Sequence, residues 1–208
     1  METSKSQAVD TAPAVGLFAF CALAAMTRLS KDGDQAPNTQ AHVELAGMAD
    51  QAYQRFLDFD SYAEHNGYSI IDAAGSYAGM FDELDARTRP SNWGERILKS
   101  YVVIGIFADV LREVASRQQV FSDRFSVWDL GQGAWVRDHL GPMTEADPQL
   151  AGRLSLWGRR VAGETFGLVR ATLFTYPELA QDPDTVDAIV SYATGRHQER
   201  MEELNLRP

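Results

Sequence analysis

Asp109 and Glu113 are the carboxylates best placed to do chemistry in this chain. They stand four residues apart in its most apolar stretch, so on a helix they share one face. Ile106, Phe107, Val110 and Val114 surround them, and a carboxylate in such company is costly to bury unpaired. A metal, an arginine or solvent at a bundle edge must compensate, and Arg112 and Arg117 alongside offer the plainer reading of a solvated stripe. Glu164, between Gly163 and Gly167, is a similar case in a weaker context. The imidazoles are His42, His65, His139 and His197. His42 and Glu44 are two residues apart, which puts them on different helix faces and rules out a clamp on one metal. His65 and His139 fall near the ends of predicted helices, where an imidazole more often serves the helix C-terminus than a metal. No Glu-x-x-His occurs anywhere in the chain. That spacing sets two metal ligands one turn apart on an inward face, and carboxylate-bridged metal bundles use it twice.

Other chemistries find less support. Gly131-Gln132-Gly133 lacks the strand before it and the lysine after it that a phosphate loop needs, and it reads as a kink or a close helix contact. No Gly-x-Ser-x-Gly elbow is present. The single cysteine, Cys21, sits in an apolar run and reads as a buried, inert thiol. One cysteine allows no intrachain disulfide, which suits a reducing cytosol. The net charge of −10 argues against a general nucleic-acid surface. Arg153, Arg159, Arg160 and Arg170 gather in one segment with few acids, and a solvated, salt-bridged helix face is the preferred account of them.

The elements that must position these groups are helices. With 208 residues and 45% apolar content, the chain holds enough for one sizeable core, and no composition shift divides it. Prolines fall between apolar-periodic segments of helical length. The pattern predicts helices over about 13–30, 39–66 (stopping at Gly67), 69–87, 91–118, 123–140, 148–174 and 184–203. Asp10-Thr11 and Ser91 are expected caps. The 101–114 stretch is apolar nearly all round, which places its helix at the centre of a bundle. The run from Ala14 to Met26 lacks a basic segment before it and is short for a bilayer, so it reads as a buried first helix rather than a leader or a membrane span.

Several of these segments resemble a known family. Tyr101 to Ala115, the approach Arg87-Thr88-Arg89-Pro90-Ser91-Asn92-Trp93, the segment Asp147 to Arg160 with Gly163-Glu164, and the start Leu17 to Met26 are similar to actinobacterial ferritin-like proteins. Those resemble the tRNA 2-methylthio-isopentenyladenosine hydroxylase. The resemblance covers roughly residues 14 to 175. It implies a ferritin-like bundle with a carboxylate-bridged di-iron centre. At the implied ligand positions this chain departs from the pattern. The first-helix glutamate falls on Ala22. The Glu-x-x-His of the second helix falls on Ala52-Tyr53-Gln54-Arg55. The fourth-helix ligand stretch falls on Gly131-Gln132-Gly133-Ala134, and Asp109 and Glu113 remain in the third.

The expectation is therefore an all-α, ferritin-like up-down bundle with additional C-terminal helices. It forms one domain over 1–208 with a core at about 13–176. Its di-iron site is degenerate, with vestigial positions Ala22, Ala52, Arg55, Asp109, Glu113 and Gln132. A buried pair between Arg55 and Asp109 or Glu113 is expected to replace the metal charge. The function expected is a non-catalytic binding or scaffolding role in the cytoplasm without metal cofactor, with a protein partner or a second copy of the chain as a homodimer. Membrane and nucleic-acid partners are not expected. Two alternatives stand beside it. One is a di-iron tRNA-type hydroxylase with unusual ligands among Asp109, Glu113, Glu164 and His139. The other is a small-ligand binding bundle whose former metal cavity is apolar. Trp93, Trp128, Trp135 and Trp157 are expected mostly in core packing, with an interface as the second use.

Overall fold

Polar caps set most of the helix boundaries. The computed structural model describes residues 10–121, 129–180 and 182–208. Helix α1 (Ala12–Asp34) begins after Thr11, and the Asp10 carboxylate accepts the Ala12 N–H at 3.0 Å. Asn38 caps α2 (Thr39–His65), its side chain accepting the Ala41 N–H. α2 stops at Gly67, as expected. There φ is +78°, Tyr68 N–H reaches the Ala63 carbonyl and Gly67 N–H the Glu64 carbonyl. This left-handed stop suits a residue without a Cβ. Asn92, not Ser91, caps α5 (Trp93–Gln118), while the Ser91 N–H donates back to Glu95 at 2.7 Å. The two bonds form a reciprocal capping box shifted by one residue from the expected one. Asp147 ends α6 (Gln132–Ala146) and caps α7 (Pro148–Thr175), and Asp182 caps α8 (Pro183–Glu202).

Two expected helices are corrected. The 69–87 segment is not one helix but two short ones, α3 (Ile70–Gly75) and α4 (Asp82–Arg87), because the glycine-bearing link between them turns instead of winding on. The fifth expected helix begins at Gln132 among the described residues and continues past Leu140, through Pro142, to Ala146. Pro142 and Asp138, the residue whose carbonyl loses its helical donor, are both exposed, so water can serve that carbonyl. The 122–128 part of that expected span, with Trp128, lies outside the described residues.

All described elements are helical, and no strand occurs among the described residues. α1 and α2 lie side by side, joined by a short turn that makes them antiparallel, and α3 packs across α1. α5 is the central helix, with α1 on one side and α7 and α8 on the other, while α6 packs on α5 and α7. Its buried positions include Ile97, Leu98, Tyr101, Val102, Ile106 and Val110. Aromatic contacts knit the layers: Phe18 meets Phe59 at 5.8 Å and Phe81 meets Phe107 edge-on at 5.0 Å. α8 sits very close to its neighbours. A Cβ at Gly105 of α5 would lie 2.7 Å from Arg200, and one at Gly158 of α7 would lie 2.5 Å from Met201. α1 is long and apolar enough to cross a membrane by length and composition, yet half of that stretch is buried inside the protein.

Candidate functional site

Small side chains leave a cavity of about 60 Å³ where α1, α2 and α5 converge. Cys21, Ala22 and Ala25 on α1, Ala52 on α2 and Ala108 on α5 occupy wall positions that larger residues would fill. Phe18, Phe59, Phe81 and Phe107 close around them. Two charged side chains reach the wall, Arg28 and Arg55, and both are cationic. Arg28 is engaged elsewhere, bonded to Asp85 at 2.9 Å and lying over the Phe81 ring at 5.9 Å. Arg55 contacts Asp58 of its own helix at 3.4 Å, and its Nε is buried without a hydrogen-bond partner. Cys21 is buried, and burial pushes its thiol far above the ordinary range, which makes it a poor nucleophile.

The implied ligand positions divide into two sets. Ala22, Ala52 and Arg55 stand together in the cavity wall. Asp109, Glu113 and Gln132 do not. α5 turns Ile104, Phe107, Ala108 and Leu111 to the cavity, and Asp109 lies one residue further round, facing α8. There the buried Asp109 carboxylate pairs with Arg200, and Arg112 approaches at 3.3 Å. The expected pairing of Arg55 with Asp109 or Glu113 is thus overturned, since α8 supplies the arginine. Glu113 pairs with Arg117 on its own helix at 3.3 Å. Gln132 is buried beside Asp109 and Tyr101 in a separate polar cleft of about 200 Å³.

The alternative ligand set is not brought together. Asp109 is held by Arg200, and Glu113 by Arg117. Glu164 pairs with Arg87 across to α4 at 3.3 Å. His139 stacks on Trp135 with ring centroids 4.0 Å apart, and its Nε2 is 3.7 Å from Glu44, which accepts the Trp135 indole N–H at 2.6 Å. Among the described residues, no group of three or more His, Cys, Asp or Glu side chains is arranged to hold a metal. The di-iron centre implied by the resemblance does not fit the cavity residues. It needs several anionic oxygens and imidazoles, and this wall offers alanines, phenylalanines and two guanidinium groups.

The other singled-out residues have structural places. His65 Nδ1 lies 2.6 Å from the Ser61 carbonyl in the last turns of α2, as a helix-terminal histidine should. His42 is exposed. His197 is buried against Phe166, and burial, with the Arg200 charge adding, pushes its pKa down to about 4. Trp157 donates to the Glu95 carbonyl at 2.9 Å, and Trp93 meets Trp135 edge-on at 6.4 Å. Of the basic segment, Arg160 donates to the Arg87 carbonyl and Arg170 pairs with Asp187, while Arg153 and Arg159 are exposed.

Sequence reasoning missed an ion cluster between α1, α4 and α5. Arg28 and Lys99 both meet Asp85, at 2.9 and 2.8 Å, while Arg96 and the Ser100 hydroxyl meet Asp32. These groups line a cleft of about 410 Å³. Burial works to raise the Asp85 carboxyl, but Arg28 and Lys99 more than offset it, leaving it below the ordinary range. Burial holds the Asp32 carboxyl above its usual value against the opposing pull of Ser100 and Arg96. The available signal was Lys99-Ser100 inside the run from Ile97 to Val103, two polar residues in an otherwise apolar stretch.

Residues 6–176 match a family described as a ferritin-like domain of actinomycetes. No curated protein matches the chain.

Proposed function

The chain belongs to the actinomycete ferritin-like domain family, and from that premise we propose that it is a non-catalytic member, a binding or scaffolding protein on a bundle whose di-iron site has degenerated. One observation carries the reading. The cavity between α1, α2 and α5 is walled by apolar side chains and two arginines, with no carboxylate or imidazole among its described lining residues. Cationic guanidinium groups repel the ions that the fold's usual site would take. The nearest buried carboxylate on α5, Asp109, is turned away and neutralised by Arg200. The hydroxylase alternative gains no support from this arrangement. In the proposed role the protein works in the cytoplasm, and its partner is another protein or a second copy of the chain.

Metal content tests this directly. Protein purified after growth with added iron is expected to carry no stoichiometric iron, manganese or zinc by elemental mass spectrometry. About two iron atoms per chain, the complement of a di-iron bundle, would overturn the proposal.

A further inference from the structure

We propose that the cavity between α1, α2 and α5 is a binding site for a small carboxylate with a short apolar chain, its tail among the alanines and its head on Arg55. This rests on the metal-free reading of the same site and names the ligand class it would take.

Size, polarity and charge point the same way. A void of about 60 Å³ has room for about four water-sized groups. Away from the two guanidinium groups its lining is apolar, and a water there would lack the two or more polar partners it needs to be held. Ala22, Ala25, Ala52 and Ala108 with Cys21 make a slot that a chain of a few carbons fills. Displacing poorly held water by apolar atoms favours binding.

Arg55 supplies the polar end. Its Nε is buried and has no acceptor, and a buried donor left unmet is costly. Its contact with Asp58 is long, at 3.4 Å, and both side chains are partly exposed, so that pair is weak and readily exchanged. A carboxylate is the group that a guanidinium edge receives best, through two parallel bonds. Arg28, held in place by Asp85, adds a second positive charge to the wall and disfavours cationic ligands. An alcohol of the same length gains the tail contacts and forgoes the charge; an amine gains the tail contacts and meets repulsion.

Pentanoate, pentanol, pentylamine and acetate form the test set, with thermal unfolding and NMR titration as readouts at constant ionic strength. Pentanoate at a tenfold excess over its Kd is expected to raise the Tm by about 3–6 °C. Pentanol should bind more weakly, and acetate and pentylamine should not register. Arg55→Met should weaken pentanoate binding about tenfold or more and leave pentanol binding unchanged, while Arg55→Lys should recover part of the loss. Ala22→Leu, which fills the slot, should abolish both responses in a folded protein. No response to pentanoate, an equal response to acetate or pentylamine, or full pentanoate binding by Ala22→Leu would each overturn the site. An iron-free protein indifferent to pentanoate defeats only this carboxylate site, whereas stoichiometric iron defeats the reading beneath it.

Discussion

Buried ionisable side chains in this protein report packing more than chemistry. Asp109 stood out because an acid in an apolar helix needs a partner, whether a metal, an arginine or solvent. The need was real, and Arg200, ninety-one residues further on, meets it. Without Asp109 the Arg200 charge would be left under α8, which makes the pair hard to break singly even where it adds little net stability. His197 gives a measurable consequence. Burial first, and the nearby Arg200 second, hold its imidazole down to about 4. In the unfolded chain it titrates near 6.5, so between those values the unfolded state binds a proton that the folded state refuses. Stability from this group is whole above pH ~6.5 and falls as the pH drops toward 4, by about 2 kcal/mol between pH 7 and 5. His197→Leu should therefore show a flatter decline of Tm with acid than the parent. Parallel pH slopes for the two proteins would contradict the assignment.

Helix packing turns on where a neighbour can yield. Gly16 on α1 faces the backbone of Ala73 on α3, and a Cβ there would lie 2.6 Å from the Ala73 carbonyl carbon and oxygen. Backbone cannot swing aside, so Gly16→Ala should cost about 1–3 kcal/mol in urea unfolding. Gly158 on α7 faces the end of the Met201 side chain at 2.5 Å. A thioether chain is flexible, and alanine suits a helix better than glycine by up to about 1 kcal/mol. Gly158→Ala should thus be much milder; a cost equal to that of Gly16→Ala would show that α8 is as rigid a neighbour as α3. The ends of these helices were more legible than their contacts. Gly67 and Asp10 act through residues within four positions of themselves, so their signals are local, and the α5 cap falls one residue from the expected one, on Asn92. The split of the 69–87 segment was harder to read, since Gly75 and Gly79 are tolerated inside a helix unless packing favours the turn.

Across the whole molecule, charge sets the partners to expect. The chain carries −10, and on α7 Arg160 is already bonded to the Arg87 carbonyl and Arg170 to Asp187. Phosphate binding needs clustered cations and weakens steeply with salt. A gel-shift titration with total tRNA at 0.15 M salt should show no retained complex, and a salt-resistant complex would return the hydroxylase alternative to consideration. In the cleft between α1, α4 and α5, Arg28, Arg96 and Lys99 are already engaged by Asp85 and Asp32. That cluster ties α1 to α4 and α5.

The all-helical class, the order of the long helices and the central place of α5 were written in the sequence, because apolar period and capping residues act along the chain. That Ala22, Ala52 and Arg55 are residue types unable to donate to a metal was legible too. Tertiary structure alone decided which acids face which neighbours. Asp109 and Ala108 are adjacent in sequence and differ by about 100° around the helix, enough to send one to α8 and the other to the cavity. No periodicity rule fixes that rotation, since α5 is apolar nearly all round. The packing of α1, α6, α7 and α8 against it does.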